Sequence, residues 1–150
     1  MDTKHVVSLE LARQMREAGF PQVSAFYHWE YKDENLKKYC LARREIRIIP
    51  KLNVRLISLD NPKYFTTFGH KAEEYCSAYL ASELGGWLPI GYFSILVNTK
   101  WNGYKKGLEW CCMNGEESED EYADTECDAR AKMLLCLAKE GMINPKELKV

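Results

Sequence analysis

The chain has no apolar run approaching the roughly 20 residues that cross a membrane. Its charged start is not followed by the apolar core of a signal peptide. A membrane partner is therefore not expected, and the expected location is the cytoplasm. Histidine is scarce, at three residues: His5, His28 and His70. Cysteine is not scarce, at six residues, but none forms a C-x-x-C and no His-x-x-x-His accompanies them. That spacing argues against a zinc site, and an unsecreted setting argues against a disulfide framework. Cys76, Cys112, Cys127 and Cys136 are expected as small buried hydrophobes. No Walker loop, G-x-G-x-x-G, G-x-S-x-G or H-E-x-x-H occurs, so no cofactor or metal is implied. A nucleophilic pair of His28 or His70 with Cys40 or Cys76 is the hydrolase arrangement still open. Glu73 and Glu74 are adjacent, so their carboxylates diverge and make no acid/base pair. There is no internal repeat. We expect a single domain over 1–150, with an acidic flexible loop near 115–124.

What is present is an ordinary globular composition. Hydrophobic residues make up 46% and charged residues 29% of 150 residues, enough to bury a core without a staple. The net charge of −1 hides an asymmetry. Lys37, Lys38, Arg43, Arg44, Arg47, Lys51 and Arg55 cluster within 37–55 against one acid, Glu45. From Glu109 to Asp128 the charges are all acidic. The basic cluster is a candidate phosphate-backbone contact; the alternative is a solvated hairpin protected at its edges by charge. The acidic run Glu116–Glu121 lacks the alternation and glycine of a calcium loop.

The clearest local signal is the stretch Ala123–Ile143. Thr125 is an N-cap, and Asp128 is placed to complete a capping box. Asp124, Glu126 and Asp128 suit the positive end of the helix dipole. Cys127, Ala131, Leu134, Leu135 and Ala138 form one apolar face. Gly141 supplies a left-handed C′ residue, letting Met142 fold back on Leu137. Residues 8–20 repeat this logic. Ser8 caps, Val7 staples onto Ala12, and Leu11, Ala12, Met15 and Ala18 form the stripe. Gly19, Phe20 and Pro21 then end the helix.

Phe26–Tyr31 reads as a strand with Tyr27, Trp29 and Tyr31 on one face, core in preference to a base-stacking platform. Leu36–Cys40 reads as a loop or short turn. Two extended pieces follow, Glu45–Ile49 and Val54–Leu59, then a loop from Asn61-Pro62 to Gly69. Residues 71–84 fit either one helix or a strand at 73–76 with Ser77 capping a shorter helix. Gly85-Gly86 ends it, and Trp87-Leu-Pro89 anchors the next loop. Asn102-Gly103 is a type I′ signal joining Tyr92–Trp101 to Tyr104–Met113. A two-residue turn sets Phe93 opposite Cys112, Ile95 opposite Trp110, Val97 opposite Leu108 and Trp101 opposite Tyr104. It predicts Phe93, Ile95, Val97, Leu108 and Trp110 buried under the last helix. The expected class is α+β: an antiparallel sheet with about three helices packed on one face.

Several segments together carry a resemblance. They are Val7–Ala12, Gly19-Phe-Pro-Gln22, Phe26–Trp29, Ala81–Gly85, Trp87-Leu-Pro89 and Asp124–Met133. In order and spacing they resemble a group of small phage- and prophage-encoded proteins of gut bacteria. The resemblance covers about half of the chain and leaves out Tyr31 to Lys71. It imports no catalytic residue. It implies a bacterial or phage origin, the cytoplasm of a bacterial host cell, and a small accessory role. The leading expectation is a non-enzymatic accessory or protein-interaction module. The alternatives are a nucleic-acid-associated protein using 37–55 and a small hydrolase. An open sheet edge invites pairing with a second copy, so a homodimer is expected.

Overall fold

The computed structural model describes residues 3–22, 24, 27–33, 38–43, 75–102, 107–115 and 120–149. Among the described residues three α-helices, α1 (Leu9–Glu17), α2 (Ala81–Gly85) and α3 (Glu126–Lys139), accompany six strands. The strands are β1 (Tyr27–Asp33), β2 (Lys38–Arg43), β3 (Tyr75–Ser77), β4 (Phe93–Asn98), β5 (Leu108–Met113) and β6 (Glu121–Ala123). They form two antiparallel three-stranded sheets, β2-β1-β3 and β4-β5-β6. The fold is α+β, with helices packed against antiparallel sheet. Among the described residues no helix is long and apolar enough to cross a membrane.

α1 ends as its glycine requires. Gly19 sits at φ +89°, and the N–H groups of Gly19 and Phe20 return to the carbonyls of Arg16 and Met15. Leu11, Ala12 and Met15 are buried, while Ala18, at the C-cap, lies outside the stripe. Trp29 of β1 and Cys76 of β3 are register partners and are both buried in the same core cluster as α1. The Trp29 indole N–H donates to the Val7 carbonyl at 3.0 Å, which removes the cost of burying it. Trp87 anchors its loop as expected. Its ring meets Tyr79 edge-on at 5.1 Å and Phe20 at 6.1 Å, and its N–H donates to the Lys149 carbonyl.

Several expectations are corrected. Lys38–Arg43 is a strand paired along β1 from Tyr27↔Arg43 to Tyr31↔Tyr39, so Leu36–Cys40 is not simply a turn. Pairing to β1 overrides a segment whose own alternation is weak. The pieces at 45–49 and 54–59, and the loop at 61–69, lie outside the described residues. So do residues 71–74. The remainder of 71–84 is strand then short helix, and Ser77 is not the cap. The N-cap is Leu80, whose N–H is taken by the Glu83 carboxylate at 2.7 Å. Glu121–Ala123 is not loop: it pairs with β5, leaving 116–119 of the acidic run outside the described residues.

The start of α3 follows the sequence, with the Thr125 hydroxyl accepting the Asp128 N–H at 3.2 Å. Asp128 does not turn back to close the box. Its carboxylate accepts the Ser8 N–H at 2.7 Å, tying the start of α3 to the start of α1. The Ser8 side chain makes no capping bond. At the other end Gly141 (φ +74°) closes the helix, with Met142 N–H to Leu137 and Gly141 N–H to Ala138. The Met142 side chain stays exposed, and Ile143 packs back in its place.

The larger correction to α3 is that it has two buried flanks. Cys127, Ala131 and Leu134 face the α1 side, with Leu135 and Ala138 partly buried beside them. Ala129, Met133 and Leu137 face Cys112 and Ala123 of the second sheet. A helix apolar on both flanks belongs between two layers.

Candidate functional site

The second sheet is where structure and expectation part most clearly. The observed register sets Phe93 opposite Met113, Ser94 opposite Cys112, Ile95 opposite Cys111 and Leu96 opposite Trp110. Val97 opposes Glu109 and Asn98 opposes Leu108. This is one residue away from the pairing a two-residue turn dictates. Thr99–Asn102 instead curls into a 3-10 turn. The Thr99 N–H and hydroxyl each lie 2.9 Å from the Gly107 carbonyl, and the hydroxyl lies 2.9 Å from the Glu109 carboxylate. Residues 103–106 lie outside the described residues.

A slip of one residue exchanges the faces of a strand. Ser94, Cys112, Trp110 and Ala123 therefore face α3, and Phe93, Ile95, Val97, Cys111, Met113 and Tyr122 face away. The expected burial of Phe93, Ile95 and Val97 under the helix fails because they face away, with Phe93 44% and Ile95 39% exposed; Leu108 keeps the α3 side beside Trp110 but is 66% exposed. Only Trp110 of that set packs with the α3 cluster. Small residues under the helix let Ala129 and Met133 approach the sheet, and polar bonds complete the contact. The Arg130 guanidinium donates to the Ser94 hydroxyl (2.9 Å), the Ala81 carbonyl (2.7 Å) and the Glu126 carboxylate (2.7 Å). Ser94 in turn donates to Glu126 at 2.6 Å. One side chain of α3 thus ties α2 to β4. A side chain at Gly85 would run into this guanidinium.

The outer face carries Phe93, Ile95 and Tyr122, each exposed by 39% or more, flanking the buried Cys111. Ile90, wholly exposed, precedes β4. Periodicity could not reveal this surface, because Asn102-Gly103 pointed to the wrong register.

The catalytic arrangements the sequence left open are not assembled by the described residues. The register sets Trp29, not His28, opposite Cys76; His28 pairs with Ala42 and Ser77, and Cys40 with Glu30. His70 lies outside the described residues. Burial pushes the Cys76 thiol up, an effect only partly offset by Arg16, and pushes Cys111 up as well. Burial pushes Cys112 and Cys127 up to about 11. These thiols are poor nucleophiles at neutral pH. Cys136 is half-buried, short of the burial expected for it.

A polar cluster that sequence reasoning missed sits beside α2. Ser24, 1% exposed, places its hydroxyl 3.1 Å from the Glu83 carboxylate, and its N–H donates to the Ser77 hydroxyl. Gln22 accepts the Ser77 N–H at 2.8 Å, and the Tyr79 hydroxyl donates to the Pro21 carbonyl. The Leu80-Ala-Ser-Glu83 spacing was the available signal for Glu83. These groups hold Gln22 and Ser24 against β3 and α2, so the cluster is structural.

A cleft of about 630 Å³ lies between α1 and α3. Within its polar lining Glu10 accepts from Gln14, Asp128 accepts from Ser8, and Lys132 donates to the Tyr122 carbonyl. Among the described residues, no group of three or more His, Cys, Asp or Glu is placed to hold a metal ion.

No protein-family model, curated protein or solved structure matches this chain. Of the basic candidates, Lys38 and Arg43 stand at the two ends of β2. Lys37, Arg44, Arg47, Lys51 and Arg55 lie outside the described residues.

Proposed function

We propose that the chain is a non-enzymatic protein-interaction module, the small accessory role implied by its resemblance to phage and prophage proteins. One observation carries this reading: the outer face of β4-β5-β6 presents Phe93, Ile95 and Tyr122 to solvent while Ser94, Cys112 and Ala123 lie under α3. Folding alone rewards the reverse arrangement, with large apolar groups inside. An apolar patch on a rigid sheet is the usual form of a protein-binding surface. The burial-raised thiols of Cys76, Cys111, Cys112 and Cys127 support the same reading against a cysteine hydrolase.

The test is site-specific photo-crosslinking in bacterial cells. A photoreactive phenylalanine analogue is placed at position 93, at position 122, or at position 139 on the exposed polar flank of α3. Discrete adducts from 93 and 122, absent from 139 and abolished by Ile95→Lys, are the expected result. Silence at 93 and 122, or equal adducts from all three, overturns the proposal.

A further inference from the structure

We propose that two copies of this chain pair antiparallel through the edge of β4 that no other described strand covers, about a two-fold axis at Leu96. This names a partner and an edge for the interaction module and rests on that reading. Among the described residues β4 is an edge strand of its sheet, and it is exposed or half-exposed at every residue. Its sequence, Phe-Ser-Ile-Leu-Val-Asn, holds no charge and no proline, and its pairing with β5 runs without a bulge. Edge strands are ordinarily protected by such devices.

The ladder shows which groups are left over. The Thr99 N–H bonds the Gly107 carbonyl, one step beyond the Asn98↔Leu108 pair. In an antiparallel pair the bonded positions alternate, so Val97, Ile95 and Phe93 share their bonds with β5. The N–H and C=O groups of Ser94, Leu96 and Asn98 then point outward. These three positions are symmetric about Leu96. A second copy brought in antiparallel sets Leu96 against its own counterpart and Ser94 against Asn98, using the same outward groups on both sides. Such an edge can serve as its own complement, as an isologous contact requires, and its uncharged, unbulged sequence places nothing against a second copy. The side chains agree. Leu96 is on the α3 side of the sheet yet 50% exposed. In the pair it meets the second Leu96, while Ile95 and Val97 meet across the outer face. The outcome is a six-stranded sheet with the apolar face doubled.

The test is sedimentation of the full chain over a micromolar-to-millimolar series, joined to amide hydrogen exchange. The expected species is twice 17.4 kDa. Leu96→Lys places like charges opposite each other at the axis and should raise the dissociation constant at least about tenfold. Leu96→Pro removes an outward N–H, leaves the β5 ladder intact, and should act the same way. Ile90→Ser, exposed but off the edge, should leave the constant unchanged. Exchange at Ser94, Leu96 and Asn98 should slow with concentration, while Phe93, Ile95 and Val97 are slow throughout; this readout needs no variant. A monomer across the series, a dimer indifferent to both Leu96 variants, or exchange at 94, 96 and 98 that ignores concentration overturns the proposal. Protection of those amides that appears only in host extract assigns the edge to a strand of another protein and also overturns it. The two readings fail separately. Crosslinks from 93 and 122 with a monomeric chain sink the self-pairing alone. A dimer with a silent outer face sinks the interaction module alone.

Discussion

The two faces of the β4-β5-β6 sheet are built from opposite materials. Under α3 lie Ser94, Cys112 and Ala123, with Trp110 at the side. Facing away are Phe93, Ile95 and Tyr122. Where Ser94, Cys112 and Ala123 meet the helix the inner face is small, because the helix arrives with its own bulk, Met133 and Leu137, and with Arg130 reaching Ser94; Leu96 and Leu108 of the same face stay largely exposed. Close approach replaces side-chain size as the source of packing. The outer face is under no such constraint, so its large apolar groups ask for a different explanation. A face whose composition packing explains should be intolerant of change; a face it does not explain should tolerate change in stability and lose binding.

The largest effects are expected on α3, which serves both layers. Leu134, fully buried on the α1 side, and Met133, 1% exposed on the sheet side, should each cost about 2–5 kcal/mol on replacement by Ala. That is a large share of the roughly 5–15 kcal/mol that holds a domain of this size. Lys139→Ala should change little. Urea unfolding midpoints decide it. A loss confined to Leu134 would mean that α3 has one buried face and that the sheet side is loosely held.

Next come the two faces themselves. Cys112→Leu forces volume between β5 and α3 and should cost about 1–3 kcal/mol. Ile95→Thr, on the outer face, keeps the β-branched shape and should cost about 0.5 kcal/mol or less. Thermal melts of the two variants side by side test the assignment. Equal losses would mean that the register, and the inner and outer faces with it, is wrong.

The smallest effect concerns pH. Burial holds the Cys112 and Cys127 thiols at about 11, against an ordinary 9.0. Between about pH 9 and 11 the unfolded chain gives up thiol protons that the folded chain keeps. The unfolded state then binds fewer protons, so stability falls as pH rises through that window; below pH 9 these thiols contribute no slope. Other groups titrate there too, so the measurement is the slope of the denaturation midpoint against pH. Cys112→Ala with Cys127→Ala should flatten it relative to the native chain. An unchanged slope would show both thiols open to solvent.

Much of the architecture was legible in the residues themselves. Thr125, Gly141, Gly19 and Gly85-Gly86 mark helix ends, because caps and left-handed residues act on the backbone within one turn. The stripe Leu11, Ala12 and Met15 was legible for the same reason. The partners of polar groups were not. Asp128 was expected to serve its own helix and serves Ser8, 120 residues away. Glu83 was unassigned and caps α2. Nor was the candidate surface legible. Its face was read with the opposite sense, since one residue of register separates Phe93 buried from Phe93 exposed.

The sequence by itself determined the fold class, the ends of the helices and the apolar content that drives the layers together, because these follow from interactions within a few residues of one another. Tertiary structure alone decided which flank of α3 meets which layer, that Lys38–Arg43 becomes a strand, and which face of β4 turns outward. Each of those choices compares packing against distant elements whose free energies differ by little per residue. A turn motif such as Asn102-Gly103 is outweighed once Thr99 finds Gly107 and the small side chains of Ser94 and Cys112 admit the helix.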